Sequence, residues 1–234
     1  EIASQLLPSE FKNYNSILDL LLKQKEISSK AYSSVLVRFS GCLGGKHVLF
    51  LSLGHDHSDI DKLGVHERLR RLGASIIHAL EAEKLKSAII LLDSFLVSKA
   101  KLQSKPTEAA SALVEGMGLA SYHFSQYQTQ KKEKQPYEIT LMSSRLSQVN
   151  AYKRGIENAS IIVESTNLCR DLSNAPSNEL YPLALASRVK HLASDYSVSC
   201  QILTVPALKK EKMGLLLGVG QGSSNPPCMI CLEY

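Results

Sequence analysis

Five consecutive apolar residues, Ala88-Ile89-Ile90-Leu91-Leu92, stand between two segments whose apolar residues recur at helical spacing. A run this short, flanked in this way, reads as a buried strand. The segment before it follows a helical pattern at Leu63, Leu69, Leu72, Ile76, Ile77 and Leu80. The segment after it, Thr107 to His123, is helical with Thr107 as the cap behind Pro106. Further strands are expected at Val35–Val37 and Val48–Leu51, with a turn from Gly41 to Gly45 between them, and at Tyr137–Met142. An opening helix over Ser9–Lys25, capped by Ser9, carries apolar residues from Phe11 to Leu22 at helical spacing. Strands that alternate with helices need crossover connections, so the chain up to Ser143 predicts an α/β layer fold.

A long helical pattern follows from Ser144 to Leu172, where Val149, Tyr152, Ile156, Ala159 and Val163 keep 3-4-3-4 spacing. One helix of up to ~40 Å is expected, suited to a rigid connector. It stops at the breaker cluster Asn174-Ala175-Pro176. A second block reads as a helix (Pro182–Ala193), a strand (Val198–Leu203), a short helix (Pro206–Lys212), a strand (Leu215–Val219), a polar loop and an apolar strand (Met229–Leu232). That last run has the composition of a fully buried strand, yet nothing after it covers its second edge. An open apolar edge invites aggregation, so missing neighbours are expected.

Hydrophobic residues make up 44% of the 234 and charged residues 21%, which argues against disorder. No apolar run reaches the ~18 residues of a membrane-spanning helix. The net charge of +5 is spread evenly, with 13 basic and 11 acidic residues in 1–100 against 14 and 11 in 101–234. Neither a basic half nor an acidic tail points to nucleic acid. The cysteines, Cys42, Cys169, Cys200, Cys228 and Cys231, are odd in number, and two form C-x-x-C inside an apolar run. A reducing compartment fits this better than a secreted disulfide framework. The chain opens at Glu1 and no signal-peptide pattern follows, which fits a leader that was removed as well as one that was never included.

Several groups invite a chemical reading. His55-Asp56-His57 with Asp59 and Asp61 has the donors of a zinc or manganese site, with His47 and His66 elsewhere. Neighbours on one loop rarely converge on an ion without a distant ligand, and a solvated loop that caps the next helix is the better reading. Cys228 and Cys231 lack a second ligand pair and a helix N-terminus, and read as buried structural thiols whose side chains alternate across a strand. Gly218-x-Gly220-x-Gly222-Ser223 resembles a phosphate loop, but Pro226 and Pro227 follow where a helix would have to open. Lys131, Lys132 and Lys134 near Tyr122, Phe124, Tyr127 and Tyr137 have the pattern that binds single strands or phosphate backbones, but a solvated loop before a strand is the better reading. Arg68, Arg70 and Arg71 read as an exposed helix face. Arg170 and Asp171 read as helix-terminal and domain-interface groups.

Three segments, taken together, resemble the leucyl aminopeptidase (cytosol aminopeptidase) family. The first runs from Ala112-Leu113-Val114-Glu115-Gly116 through Tyr122, Phe124 and Tyr127 to Lys134. The second is Asn167-Leu168-Cys169-Arg170-Asp171-Leu172-Ser173-Asn174-Ala175-Pro176, with Asn178 and Pro182. The third, the most specific, is Gly214-Leu215-Leu216-Leu217-Gly218-Val219-Gly220-Gln221-Gly222-Ser223, with Asn225-Pro226-Pro227 and Leu232-Glu233-Tyr234. The likeness is strong over 107–234 and rests mainly on element order before that.

The resemblance implies a macro-domain-like N-terminal α/β domain (1–143), a connecting helix (144–172) and the start of a second, catalytic α/β domain (173–234). It implies a cytoplasmic homohexamer that releases N-terminal amino acids, often leucine, from peptide substrates. Two divalent metals (Zn, Mn or Mg) would activate a bridging water. The family's metal-binding motifs, of the types Lys-Gly-x-x-Phe-Asp and Asn-Thr-Asp-Ala-Glu-Gly-Arg, come after the segment matching Leu232-Glu233-Tyr234. No catalytic, cofactor-binding or metal-binding residue therefore carries over, and this chain alone is expected to be architectural and inactive. The family usually has arginine where Cys228 stands, and a structural turn at Gly218–Gly222. Some bacterial members bind DNA, which keeps DNA as a partner to be tested through the lysine cluster; no membrane partner is expected. Two other functions compete with this one: a stand-alone macro-like module for DNA or a nucleotide-like ligand, and a non-catalytic partner subunit.

Overall fold

A computed structural model describes residues 23, 34–38, 47–51, 64–92, 104–129, 136–143 and 145–234. It forms two compact units, residues 1–168 and 169–234. Of the helix expected over Ser9–Lys25, only Lys23, helical and exposed, lies among the described residues.

In the first unit, β1 (Ser34–Arg38) pairs antiparallel with β2 (His47–Leu51), with Val35 opposite Phe50 and Val37 opposite Val48. Helix α1 (Val65–Ala82) buries Leu69, Leu72, Ile76, Ile77 and Leu80, the positions its periodicity marks. Strand β3 (Ser87–Leu91) then pairs with β4 (Glu138–Met142) in parallel, from Ser87 opposite Glu138 to Leu91 opposite Met142. Parallel neighbours cannot be joined by a tight turn. The chain between them contains α2 (Pro106–Ala120). β3 is not buried on both faces, as its apolar run suggests: Ile90 joins the core while Ile89, on the other face, is exposed.

Helices α1 and α2 form the centre of this unit. They approach so closely that a Cβ on Gly116 would fall on the backbone carbonyl of Arg70, and one on Gly73 on the carbonyl of Leu113. Around that crossing Leu72, Ile77, Ala110 and Leu113 are almost fully buried. The cap of α2 differs from the expectation. Pro106 is the first helical residue, so Lys105 in an extended conformation takes the cap position and Thr107 lies inside the helix. The helix ends at Ala120, short of the expected His123.

A 3₁₀ turn (Leu146–Gln148) leads into α3 (Val149–Asn174), whose 26 residues give about 39 Å of helix. The periodicity places its start five residues earlier; the 3₁₀ turn occupies much of that stretch. Helix α3 runs along α2 in the same direction, with Gly155 against Thr107, Ala110 and Ser111, and Val163 against Gly118. Its buried residues are Tyr152, Gly155 and Ala159, all in the first half. Among the described residues no helix is long and apolar enough to cross a membrane.

The second unit holds α4 (Pro182–Asp195), β5 (Ser199–Leu203), α5 (Val205–Lys210), α6 (Gly214–Gly220) and β6 (Met229–Glu233). Strands β5 and β6 pair antiparallel, from Ser199 opposite Glu233 to Leu203 opposite Met229. Leu215–Val219 is not the expected strand but part of α6. Three successive leucines are good helix formers, and Val219 is the stretch's single β-branched residue. The chain also enters α6 from a tight stop at the end of α5, where Met213 N–H bonds the Leu208 carbonyl at 3.0 Å. β6 is a strand, as its composition suggests, but not a buried one: Met229 and Leu232 are exposed.

Candidate functional site

The histidine and carboxylate cluster His55, Asp56, His57, Asp59 and Asp61 lies outside the described residues, as do Cys42 and the lysines 131, 132 and 134. His47 is a residue of β2, opposite Arg38. Among the described residues no group of three or more His, Cys, Asp or Glu side chains is arranged to hold a metal ion.

His66, on the first turn of α1, meets Ser104 Oγ at 3.1 Å and Glu108 Oε2 at 3.4 Å. Both contacts go to the same ring nitrogen, Nε2. A nucleophilic triad needs the hydroxyl and the carboxylate on opposite nitrogens of the ring. This cluster therefore ties α1 to the start of α2 and has no relay geometry.

The arginines of α1 are more than an exposed face. Arg70 Nε donates to Glu115 Oε2 at 2.6 Å, and Glu115, on α2, is buried with only 7% of its side chain exposed. Ser111 Oγ donates to the other carboxylate oxygen at 3.0 Å. Arg71 matches the expectation better, pairing with Glu67 at 2.8 Å on the surface. The buried carboxylate escapes a sequence reading because its partner is 45 positions away. One signal was present: Glu115 interrupts a face of α2 otherwise made of Ala109, Ala112, Leu113 and Gly116.

A second cluster was not anticipated. Glu81, at the end of α1, receives Tyr137 Oη at 3.3 Å and lies 3.0 Å from His123 Nε2. Burial, with the Glu81 carboxylate adding to it, pushes the Tyr137 phenol above its ordinary value. The Lys86 ammonium sits 5.2 Å from the centre of the Tyr137 ring. Phe124 and Tyr127 stack on each other at 5.6 Å, tilted by 59°.

In the second unit Cys231 lies in β6 opposite Gln201, and Cys228 just ahead of the strand. Neither thiol is fully buried, so the reading as buried structural cysteines is too strong. Burial nonetheless pushes the Cys228 thiol up, the wrong direction for a reactive thiolate. Gly218 and Gly220 belong to the end of α6 rather than to a loop, and that helix ends into the turns leading to Pro226. Arg170 and Asp171 do lie in the last turns of α3.

Several large apolar side chains of the second unit are exposed. Leu215 is 91% exposed, Val219 84% and Leu232 57%. Its fully buried apolar side chains, among the described residues, are Ala186, Ala193 and Leu208. Single exposed apolar residues are ordinary on a protein surface, but exposures of 91% and 84% within one seven-residue helix leave those side chains unpacked.

The fold is thus a mixed α/β unit followed by a small α/β unit with several large apolar side chains exposed. The family model described as "Cytosol aminopeptidase family, N-terminal domain" matches residues 4–131, and that described as "Cytosol aminopeptidase family, catalytic domain" matches residues 167–234. The chain belongs to the cytosol aminopeptidase family. It is 31% identical over 229 residues to a "Probable cytosol aminopeptidase" of Roseiflexus castenholzii, covering 96% of this chain and 44% of the relative. With a protein of that description from Syntrophotalea carbinolica it shares 32% over 219 residues, 90% of this chain and 42% of the relative. A tomato leucine aminopeptidase mutant (K354E) superposes with a TM-score of 0.76 at 26% identity, over 96% of this chain and 43% of that one. The bottromycin maturation enzyme BotP in complex with Mn shares the fold, with a TM-score of 0.71 at 23% identity over 91% and 41% of the two chains. The chain spans less than half the length of these relatives.

Proposed function

We propose that this chain is the N-terminal portion of a leucyl-type metalloaminopeptidase that releases N-terminal amino acids from peptides. In this reading residues 1–143 form the N-terminal domain, 144–172 the connecting helix and 173–234 the beginning of the catalytic domain. The carrying observation is the exposure of Leu215, Val219 and Leu232 within residues 169–234, in the segment where the catalytic-domain match lies. A catalytic domain's remaining strands and helices would cover Leu215, Val219 and Leu232 and pair the free edge of β6.

Two divalent metals, zinc, manganese or magnesium, would supply an activated water to the whole enzyme. The described residues do not fit a metal site, so no step of the reaction is assigned to them. Their role is architectural: to position the catalytic half in a cytoplasmic homohexamer. Two measurements test this. The intact mass of the natural protein should lie well above 25.7 kDa, near twice that value. Leucine-amide hydrolysis with added manganese or zinc should be absent from the 234-residue chain and present when the chain is extended by the catalytic remainder of the Roseiflexus relative. A natural mass of 25.7 kDa, or an extended chain that folds yet stays inactive with either metal, would sink the reading.

A further inference from the structure

A cavity of about 500 Å³ opens in the first unit beside the end of α2. Its walls are largely apolar, formed by Ile77 of α1, Met117 of α2, Ile139 and Leu141 of β4, and Ile156 and Val163 of α3. Small-molecule sites have this size and character, with a few polar groups to fix orientation. Here the polar groups include two opposite charges, Lys86 just ahead of β3 and Glu164 on α3. They form no ion pair with each other, and neither has an ion-pair partner among the described residues. The Tyr137 ring beside Lys86 Nζ attracts the ammonium without neutralising it. One turn before Glu164, Ser160 also lines the cavity, and its hydroxyl donates to the Ile156 carbonyl at 3.0 Å. That leaves the Ser160 oxygen free to accept a further hydrogen bond.

A purely apolar ligand would leave both charges unused. An anion would meet Glu164, and a cation would meet Lys86. The lining complements a molecule that carries both charges on an apolar body. We propose that this cavity binds a small zwitterion of the class formed by free apolar amino acids and short apolar peptides. The ligand carboxylate goes to Lys86, its ammonium to Glu164 and Ser160, and its apolar side chain to the interior. The inference stands on the cavity alone and does not depend on peptidase activity.

Calorimetric titration of the 234-residue chain with leucine and with leucyl-leucine tests it. Saturable binding is expected, and whichever of the two binds more tightly identifies the source of the ligand. N-acetyl-leucine, which lacks the ammonium, and leucinamide, which lacks the carboxylate, should each bind about tenfold more weakly. Lys86 and Glu164 are exposed, so Lys86→Gln and Glu164→Gln should leave the unfolding temperature unchanged. Each should weaken the zwitterion, and Glu164→Gln should also erase the preference for leucine over N-acetyl-leucine, which a merely structural role would not do. Ser160→Leu, which fills the cavity, should abolish binding. No saturable binding at millimolar ligand, equal affinity for the blocked analogues, or binding indifferent to all three substitutions would overturn the proposal.

Discussion

The α1–α2 pair and the short helix α6 both contain glycines, and apart from Gly220, which packs on the Pro227 ring at the end of α6, the two regions use them in opposite ways. Gly73 and Gly116 stand where two backbones touch and leave no room for a Cβ. Gly214 and Gly218 of α6 have nothing within 4 Å of the place a Cβ would take. The leucines differ in the same sense: Leu72 and Leu113 are buried in a core made by the first unit itself, whereas Leu215 faces solvent. Hydrophobic pattern alone does not separate the two regions, since both are apolar. What separates them is packing: the first region is buried against its own unit, whereas Leu215, Gly214 and Gly218 have no such close neighbours among the described residues.

Leu215→Asp tests this most strongly. In the 234-residue chain the substitution sits on an open surface and should change stability by no more than about 0.5 kcal/mol. In the chain extended by a catalytic remainder it should place an unpaired charge in a buried contact, at a cost of about 4 kcal/mol or more. Urea unfolding of both proteins reads the difference. An equal, small effect in both would show that the α6 face stays exposed in the larger protein and would end the comparison.

Alanine at the glycines should give effects of opposite sign. Gly116→Ala drives a Cβ into a backbone carbonyl, which cannot rotate away, and should cost about 3 kcal/mol. Gly218→Ala meets no obstacle and should stabilise α6 by about 0.5–1 kcal/mol through helix propensity. Native-state hydrogen exchange, which reports each unit separately, distinguishes the two changes. Glu115→Gln should fall between these in size. It keeps the packing and the Ser111 contact but removes the charge facing Arg70, whose side chain is 39% exposed and can turn to water, so about 1–2 kcal/mol is expected.

Much of the architecture was legible. The buried face of α1, the parallel strands on either side of α2, and the single long helix were all visible as apolar spacing. The misreadings have physical causes. Leu215–Val219 was too apolar and too short for periodicity to decide between strand and helix. Thr107 drew attention as a cap, but a proline at the first helical position moves the cap one residue ahead of itself. The Arg70–Glu115 pair and the Lys86–Glu164 cavity depend on residues far apart in sequence, which spacing does not bring together. The family resemblance rested on segments of specific residue identity, and these held where periodicity was ambiguous.

The smallest effects should be those that ignore the difference between the units. Helices α1, α4 and α5 end in the same way. Lys84, Ser197 and Lys212 take left-handed conformations with φ of 56°, 54° and 55°. The next residue in each case bonds back to a carbonyl five positions earlier: Leu85 to Leu80, Val198 to Ala193 and Met213 to Leu208. This is the Schellman stop, in which glycine normally holds the left-handed position. Each anchoring residue, Leu80, Ala193 and Leu208, is buried. Glycine at 84, 197 or 212 removes a Cβ clash and loses some unfolded-state advantage, for a net gain of about 0.5–1 kcal/mol. The cap is a local device and asks nothing of the surrounding core. The gain should therefore be alike for Lys84→Gly in the first unit and for Ser197→Gly and Lys212→Gly in the second. A gain confined to Lys84→Gly would mean that the second unit does not hold even its local stops in place, and the contrast between the two regions would then reach below packing to the helices themselves.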